Sequence, residues 1–217
     1  IRRSGCLIAA PSANTSGRPS PTEAAHVAED LSGKIAMIID GGPVGIGIES
    51  TIIDLTEDTP MVLRPGYITP QMLSKVLGKE VVIDPGIIAA DDTRKPKAPG
   101  MKYKHYAPKA DMAIVDGTRK HVIAKINELV ASHRDDGKKI AVIATEETKQ
   151  FYDADVVLSM GSRADEDSIA HELYRILRDC DELDVDVIFS ESFSTPRIGQ
   201  AIMNRMLKAA GHHVEQV

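Results

Sequence analysis

Tryptophan is absent from this chain of 217 residues, and aromatic residues together make up only 4% of it. Its cores must therefore be built mainly from Ile, Val, Leu, Ala and Met. Long apolar runs are also missing. None approaches the roughly 20 residues that a helix needs to span a bilayer, so no membrane association is expected. Cysteine is scarce. Cys6 and Cys180 lie far apart, make no metal-ligand spacing and read as free thiols, with the reducing cytoplasm as the expected location. A surplus of positive charge is lacking too. The formal net charge of −6 argues against a general nucleic-acid binder, which needs a basic surface to neutralise phosphates. No strong direct nucleic-acid binding is expected, although a local basic patch stays open.

What is present suits two small α/β domains. Cys6 to Ala10 is a short apolar run that predicts a buried strand. The segment 11–21 is rich in Ser, Asn, Gly and Pro and predicts a loop. Thr22 is a good N-cap for a helix reaching Leu31, and Gly33 ends it. Ile35 to Ile39 predicts a strand, followed by a stretch holding Gly41, Gly42, Gly45 and Gly47. Thr51 to Leu55 and Met61 to Leu63 predict strands. Thr69 caps a helix with Pro70 at its first position, ending near Leu77, and Val81 to Ile83 predicts a short strand.

Residues 84–109 differ in character, with clustered charge, several prolines and no periodicity, and read as an interdomain linker. From Ala110 onward strands and helices alternate. Strands are expected at Met112–Val115, Ile140–Ala144, Val156–Leu158 and Val187–Phe189. Helices are expected at His121–His133, Ser168–Leu183 and Ile198–Ala210, the last stopped by Gly211. Such alternation implies a mainly parallel sheet covered by helices. No Gly-x-Gly-x-x-Gly follows its first strand, so dinucleotide binding is not supported. The expected division is 1–83, 84–109 and 110–217.

Four segments carry candidate chemistry. Ser12, Asn14, Ser16 and Ser20 place four small polar side chains in one loop before a helix N-terminus, where hydroxyls, amides and the helix dipole can hold a phosphate. The alternative is a turn-rich connector. Ser50 and Thr51 stand where the glycine-rich stretch enters a strand and can face a cleft, or merely begin the strand. Arg64 precedes a rigid Pro65-Gly66 turn and presents a fixed fork for phosphate or carboxylate, or a surface salt bridge. In the linker, Tyr103 and Tyr106 can stack on a base while His105 or its lysines meet phosphate, or they pin the linker to a surface. His121, His133 and His171 lie on expected helices without metal-ligand partners, and His212 and His213 sit in an expected frayed tail.

Taken together, Ala10–Thr22, Ile38–Gly42, Glu49–Asp54, Leu63–Gly66 and Pro99–Lys109 resemble the threonylcarbamoyl-AMP synthase family in its two-domain form, and Gly199–Met206 resembles that form's second domain. The resemblance implies a YrdC-like α/β domain with an open cavity, followed by a small Rossmann-like parallel-sheet domain. It implies a nucleotidyl transfer in which L-threonine and bicarbonate give a carbamate that attacks ATP. Threonylcarbamoyl-AMP and pyrophosphate are the products, and partner proteins pass the threonylcarbamoyl group to tRNA. Carried over by motif, Ser12, Asn14, Ser20, Arg64, Tyr103, His105 and Tyr106 would serve ATP, and Ala10 and Ser50 would serve threonine. Mg²⁺ would accompany ATP. No catalytic side chain is implied, since positioning carries the chemistry.

The family pattern also places a Lys-x-Arg nucleotide motif and threonine-binding Thr residues ahead of this loop, and nothing before Ser12 matches them. The expectation is that the N-terminal part of the first domain is lacking and that this chain alone is inactive. Rival readings are a carbamoyltransferase subunit, an RNA-binding or ribosome-maturation module, and a remnant whose second domain alone folds.

Overall fold

The computed structural model describes residues 2–88, 107–193 and 197–217. Two sheets organise it. The first part begins with α1 (Ala24–Leu31), then β1 (Ile52–Asp54), β2 (Met61–Arg64), α2 (Pro70–Leu77), β3 (Val82–Ile83) and the short α3 (Pro85–Ile88). Strand β2 is central, antiparallel to β1 and parallel to β3. Helix α2 follows its sequence signals closely. The Thr69 hydroxyl accepts from the Met72 amide, Pro70 opens the helix, and Gly78 closes it in the left-handed conformation.

The second part comprises β4 (Asp111–Asp116), α4 (Arg119–Asp135), β5 (Ile140–Ala144), a 3-10 turn (Lys149–Phe151), β6 (Val156–Ser159), α5 (Glu166–Glu182), β7 (Val187–Glu191), α6 (Gly199–Ala209) and β8 (Val214–Gln216). Its five strands are all parallel in the order β6-β5-β7-β4-β8. The sheet is therefore the expected parallel one, and its inner strand β5 reads as a continuous apolar run because both faces are covered. Alternation along each strand sorts the core. Met112, Ile114, Ala141, Ile143 and Ile188 face α5 and α6, while Ala113, Val115, Val142 and Phe189 face α4. Ile126 of α4 is fully buried against that second face, worth about 1.5–3 kcal/mol of hydrophobic stabilisation. On α5, Ile169, Leu173, Ile176, Leu177 and Cys180 all point inward, as their spacing predicts.

The two parts share one core. Ile48 is buried in the cluster built by α5 and α6, and Tyr67 packs on it. The Gly47 amide donates to Ala170 O of α5 at 2.9 Å. A Cβ at Gly47 would lie 2.1 Å from His171 O, so only glycine admits this approach.

Several expectations need correction. Cys6–Ala10 and Ile35–Ile39 are not strands: both run exposed, with Leu7, Ile8, Met37 and Ile39 turned to solvent. An apolar run becomes a strand only where another strand takes its backbone bonds, and none of the described strands lies alongside. Helix α1 starts after Glu23 rather than Thr22, because the Thr22 amide donates to His26 Nδ1 and its carbonyl accepts from Val44. The linker opens on a helical turn, seeded by Asp84, whose carboxylate accepts the Gly86 amide. The tail after Gly211 is no frayed end but β8, whose pairing to β4 no local signal announces. Residues 89–106 of the linker lie outside the described residues.

Candidate functional site

The loop 11–21 is shaped from within and from below. Asn14 Nδ2 donates to Thr15 O (3.0 Å) and Arg18 O (3.2 Å), closing the loop on itself. Its Oδ1 is buried with no hydrogen-bond partner among the described residues. Beneath the loop lies Asp30 of α1, whose side chain is fully buried. Asp30 accepts the Thr15 amide at 3.0 Å and pairs with Arg18 at 2.5 Å. Burial pushes the Asp30 carboxyl up, but its bonds from Arg178 and from the Thr15 amide outweigh that and hold it below the usual range. Arg178 comes from α5 and is itself fully buried. It donates to Pro19 O at 2.7 and 3.1 Å and to Asp30 at 2.9 Å. Ala10 and Ser12 stand exposed on the loop's first limb, and Ser20 is half-buried on its second.

The other two segments form a second unit. A Cβ on Gly66 would come within 2.4 Å of Glu49 O and 2.5 Å of the Thr51 amide, so the Arg64-Pro65-Gly66 turn rests directly on the Glu49–Thr51 backbone. Arg64 lies across that backbone, with Nε donating to Ser50 O at 3.0 Å and Nη1 3.3 Å from Glu49 Oε1. Ser50 is exposed and lines a cavity of about 440 Å³ with Ile48, Glu49, Thr51, Tyr67 and Leu73. Such a wall, apolar with two hydroxyls and the Arg64-paired carboxylate of Glu49, suits a small amphipathic ligand. Behind Glu49 stand Arg205 and Lys208 of α6, both buried. Burial first, then the neighbouring Arg205 and Arg64 charges, push the Lys208 ammonium down to about 8.

Thus Arg64 and Ser50 are brought together, and the loop with Ser12, Asn14 and Ser20 is held separately on the same helix, α5. Tyr103, His105 and Tyr106 lie outside the described residues. Sequence reasoning missed the residues that hold these segments from behind: Asp30, His26, Glu49, Arg178, Arg205 and Lys208. An apolar helix face interrupted by Arg178, or by Arg205 and Lys208, was the signal that something charged must meet it. Among the described residues no three His, Cys, Asp or Glu side chains converge as a metal site.

A second cavity, of about 180 Å³, opens at the carboxyl ends of β4 and β7 between Gly117, Arg119, Arg163, Glu191 and Ser192. Its charges are satisfied internally: Arg163 and the Tyr152 hydroxyl both bond Glu191, at 2.6 and 2.7 Å.

Comparison with known proteins places these observations. Residues 68–211 match the family model described as "Threonylcarbamoyl-AMP synthase, C-terminal domain", and residues 1–66 match the one described as "Telomere recombination". Both expected domains are therefore represented in the chain. It is 49% identical over 214 residues to a threonylcarbamoyl-AMP synthase of Bacillus subtilis, covering 99% of this chain and 60% of that protein. A Pyrococcus abyssi protein of the same name is 49% identical over 211 residues, covering 97% and 59%. Among solved structures, that of P. abyssi Sua5 complexed with L-threonine superposes with a TM-score of 0.84 at 46% identity, covering 95% of this chain and 58% of that one. The chain thus spans about three-fifths of the length of these relatives.

Proposed function

The chain belongs to the threonylcarbamoyl-AMP synthase family, and from that premise we propose that it takes part in making threonylcarbamoyl-AMP and pyrophosphate from L-threonine, bicarbonate and ATP. The observation that carries the reading is the Arg64–Ser50 arrangement, a guanidinium fixed across the backbone of an exposed hydroxyl at the mouth of an amphipathic cavity. Support also comes from the relative solved with L-threonine, whose sequence matches this chain across nearly its whole length.

In this reading Ser50 binds the threonine and the Ala10 backbone lines the same site. Ser12, Asn14 and Ser20 hold the nucleotide, with Arg64 facing its phosphates. Tyr103, His105 and Tyr106 serve the nucleotide as well. The protein's contribution is to orient a carbamate oxygen against the α-phosphorus and to stabilise the charge that gathers on the leaving pyrophosphate. Mg²⁺ enters as part of the Mg–ATP substrate. The product is consumed by proteins that transfer the threonylcarbamoyl group to tRNA, in the cytoplasm. The domain division 1–83, 84–109 and 110–217 belongs to the same proposal.

Calorimetry of Mg–ATP with L-threonine against this chain tests it. Micromolar ATP binding that Arg64→Ala abolishes is the expected result. A folded chain that binds neither ligand would remove the assignment of the site to these residues.

A further inference from the structure

The buried Arg178 sits in the second part of the molecule, yet among the described residues every side-chain hydrogen bond it makes goes to the first. Its guanidinium is a planar fork. One edge, Nε and Nη2, grips Pro19 O at 3.1 and 2.7 Å. The rest meets Asp30, with Nη2 2.9 Å from Oδ2 and Nη1 3.4 Å from Oδ1, and Nη1 also reaches Glu29 at 3.3 Å. Asp30 in turn takes the Thr15 amide at 3.0 Å. The two limbs of the loop are therefore tied to one ion pair: the limb entering at Thr15 through Asp30, the limb leaving at Pro19 through Arg178. Asn14 and Ser20 each adjoin one of the tied residues.

We propose that Arg178 is a positioning residue for the loop 11–21, through which the second domain sets the backbone that presents Asn14 and Ser20 to the nucleotide. This deepens the functional reading above and rests on it for the identity of the ligand. A buried ion pair adds little net stability, because desolvation offsets its attraction, but it defines geometry wherever its groups have few alternative partners. A lysine would keep the charge and lose the fork, since a single ammonium cannot span Pro19 O and both Asp30 oxygens in this geometry.

The test compares the wild-type chain with Arg178→Lys and Arg178→Met. The double variant Arg178→Met with Asp30→Asn guards against misfolding, because it removes both buried charges together. Amide hydrogen exchange is read for Thr15 and Arg18 in the loop and for β5 as an internal control, alongside Mg–ATP affinity. The expected result is exchange at the loop amides faster by about tenfold or more in all three variants, with β5 unchanged. ATP affinity should fall by a similar factor, including in Arg178→Lys. Unchanged loop exchange overturns the proposal, and so does acceleration of loop and β5 alike, which would make Arg178 a general stabiliser. If the wild-type chain binds no ATP, the functional reading fails instead, and the exchange comparison alone decides whether Arg178 sets the loop.

Discussion

Arg205 Nη1 of α6 lies 2.6 Å from Glu49 Oε2, with side chains only 1% and 7% exposed. The other oxygen of the same carboxylate faces Arg64 at 3.3 Å, and Lys208 is buried alongside. One carboxylate thus stands among three cations. Removing it should be far worse than removing one cation. Glu49→Gln is expected to destabilise the chain by about 3–5 kcal/mol, since it leaves buried positive charge uncompensated. Arg205→Met should cost clearly less, because it relieves repulsion as it breaks the pair. Urea denaturation of both variants checks the order, and an equal or reversed order contradicts it.

Lys208 gives that cluster a pH signature. Its ammonium titrates near 8 in the fold, against an ordinary value of 10.5. Between those values the unfolded chain binds the extra proton, so stability should rise with pH from about 8 toward 10. The whole depression is worth up to roughly 3 kcal/mol. Below 8 both states are protonated and the contribution is flat. Melting temperatures of wild type and Lys208→Met across this range test the point. The wild-type rise should vanish in the variant.

Gly66 and Gly47 are predicted to tolerate no side chain. In Gly66→Ala the new methyl would press on the Glu49 carbonyl and the Thr51 amide, and in Gly47→Ala on the His171 carbonyl. The atoms met are backbone and cannot swing aside. Each substitution should cost about 1–3 kcal/mol or more. Gly78→Ala meets open space and serves as a partial control, carrying only the strain of its left-handed conformation. Thermal melts that leave Gly66→Ala at wild-type stability would refute the packing argument.

His26 should make the loop acid-sensitive. Its Nδ1 accepts the Thr22 amide at 3.2 Å, which requires the ring nitrogen to be unprotonated. Burial, then the Arg178 charge, lowers its proton affinity, while Glu23, Asp179 and Glu182 raise it. The unfolded chain therefore takes up a proton first as pH falls below about 6.5, and stability falls with it. His26→Asn, which offers an uncharged acceptor, should flatten this slope between pH 6.5 and 5 in a denaturation series.

Sequence pattern made the second domain legible because its signals are redundant. In β5 every residue is apolar and buried, and in α5 the inward face repeats with helical period. The candidate residues Ser12, Ser50 and Arg64 were picked out because they stand in motif segments rich in Gly and Pro. What escaped were the partners across the interface. Nothing local to Arg178 points to Pro19, which is 159 positions away. Failure at Cys6–Ala10 and Ile35–Ile39 has the same root, because strand identity depends on a neighbour that hydrophobic pattern does not name.

Among its contacts with the first domain, helix α5 accepts from Gly47 at Ala170 and donates to Pro19 from Arg178. Eight residues of α-helix separate the two points, about 12 Å at 1.5 Å per residue. A helix resists stretching far better than a loop does. The gap between the segment that carries Ser50 and the one that carries Ser20 is therefore gauged by a rigid rod, and the two travel together wherever that rod is moved.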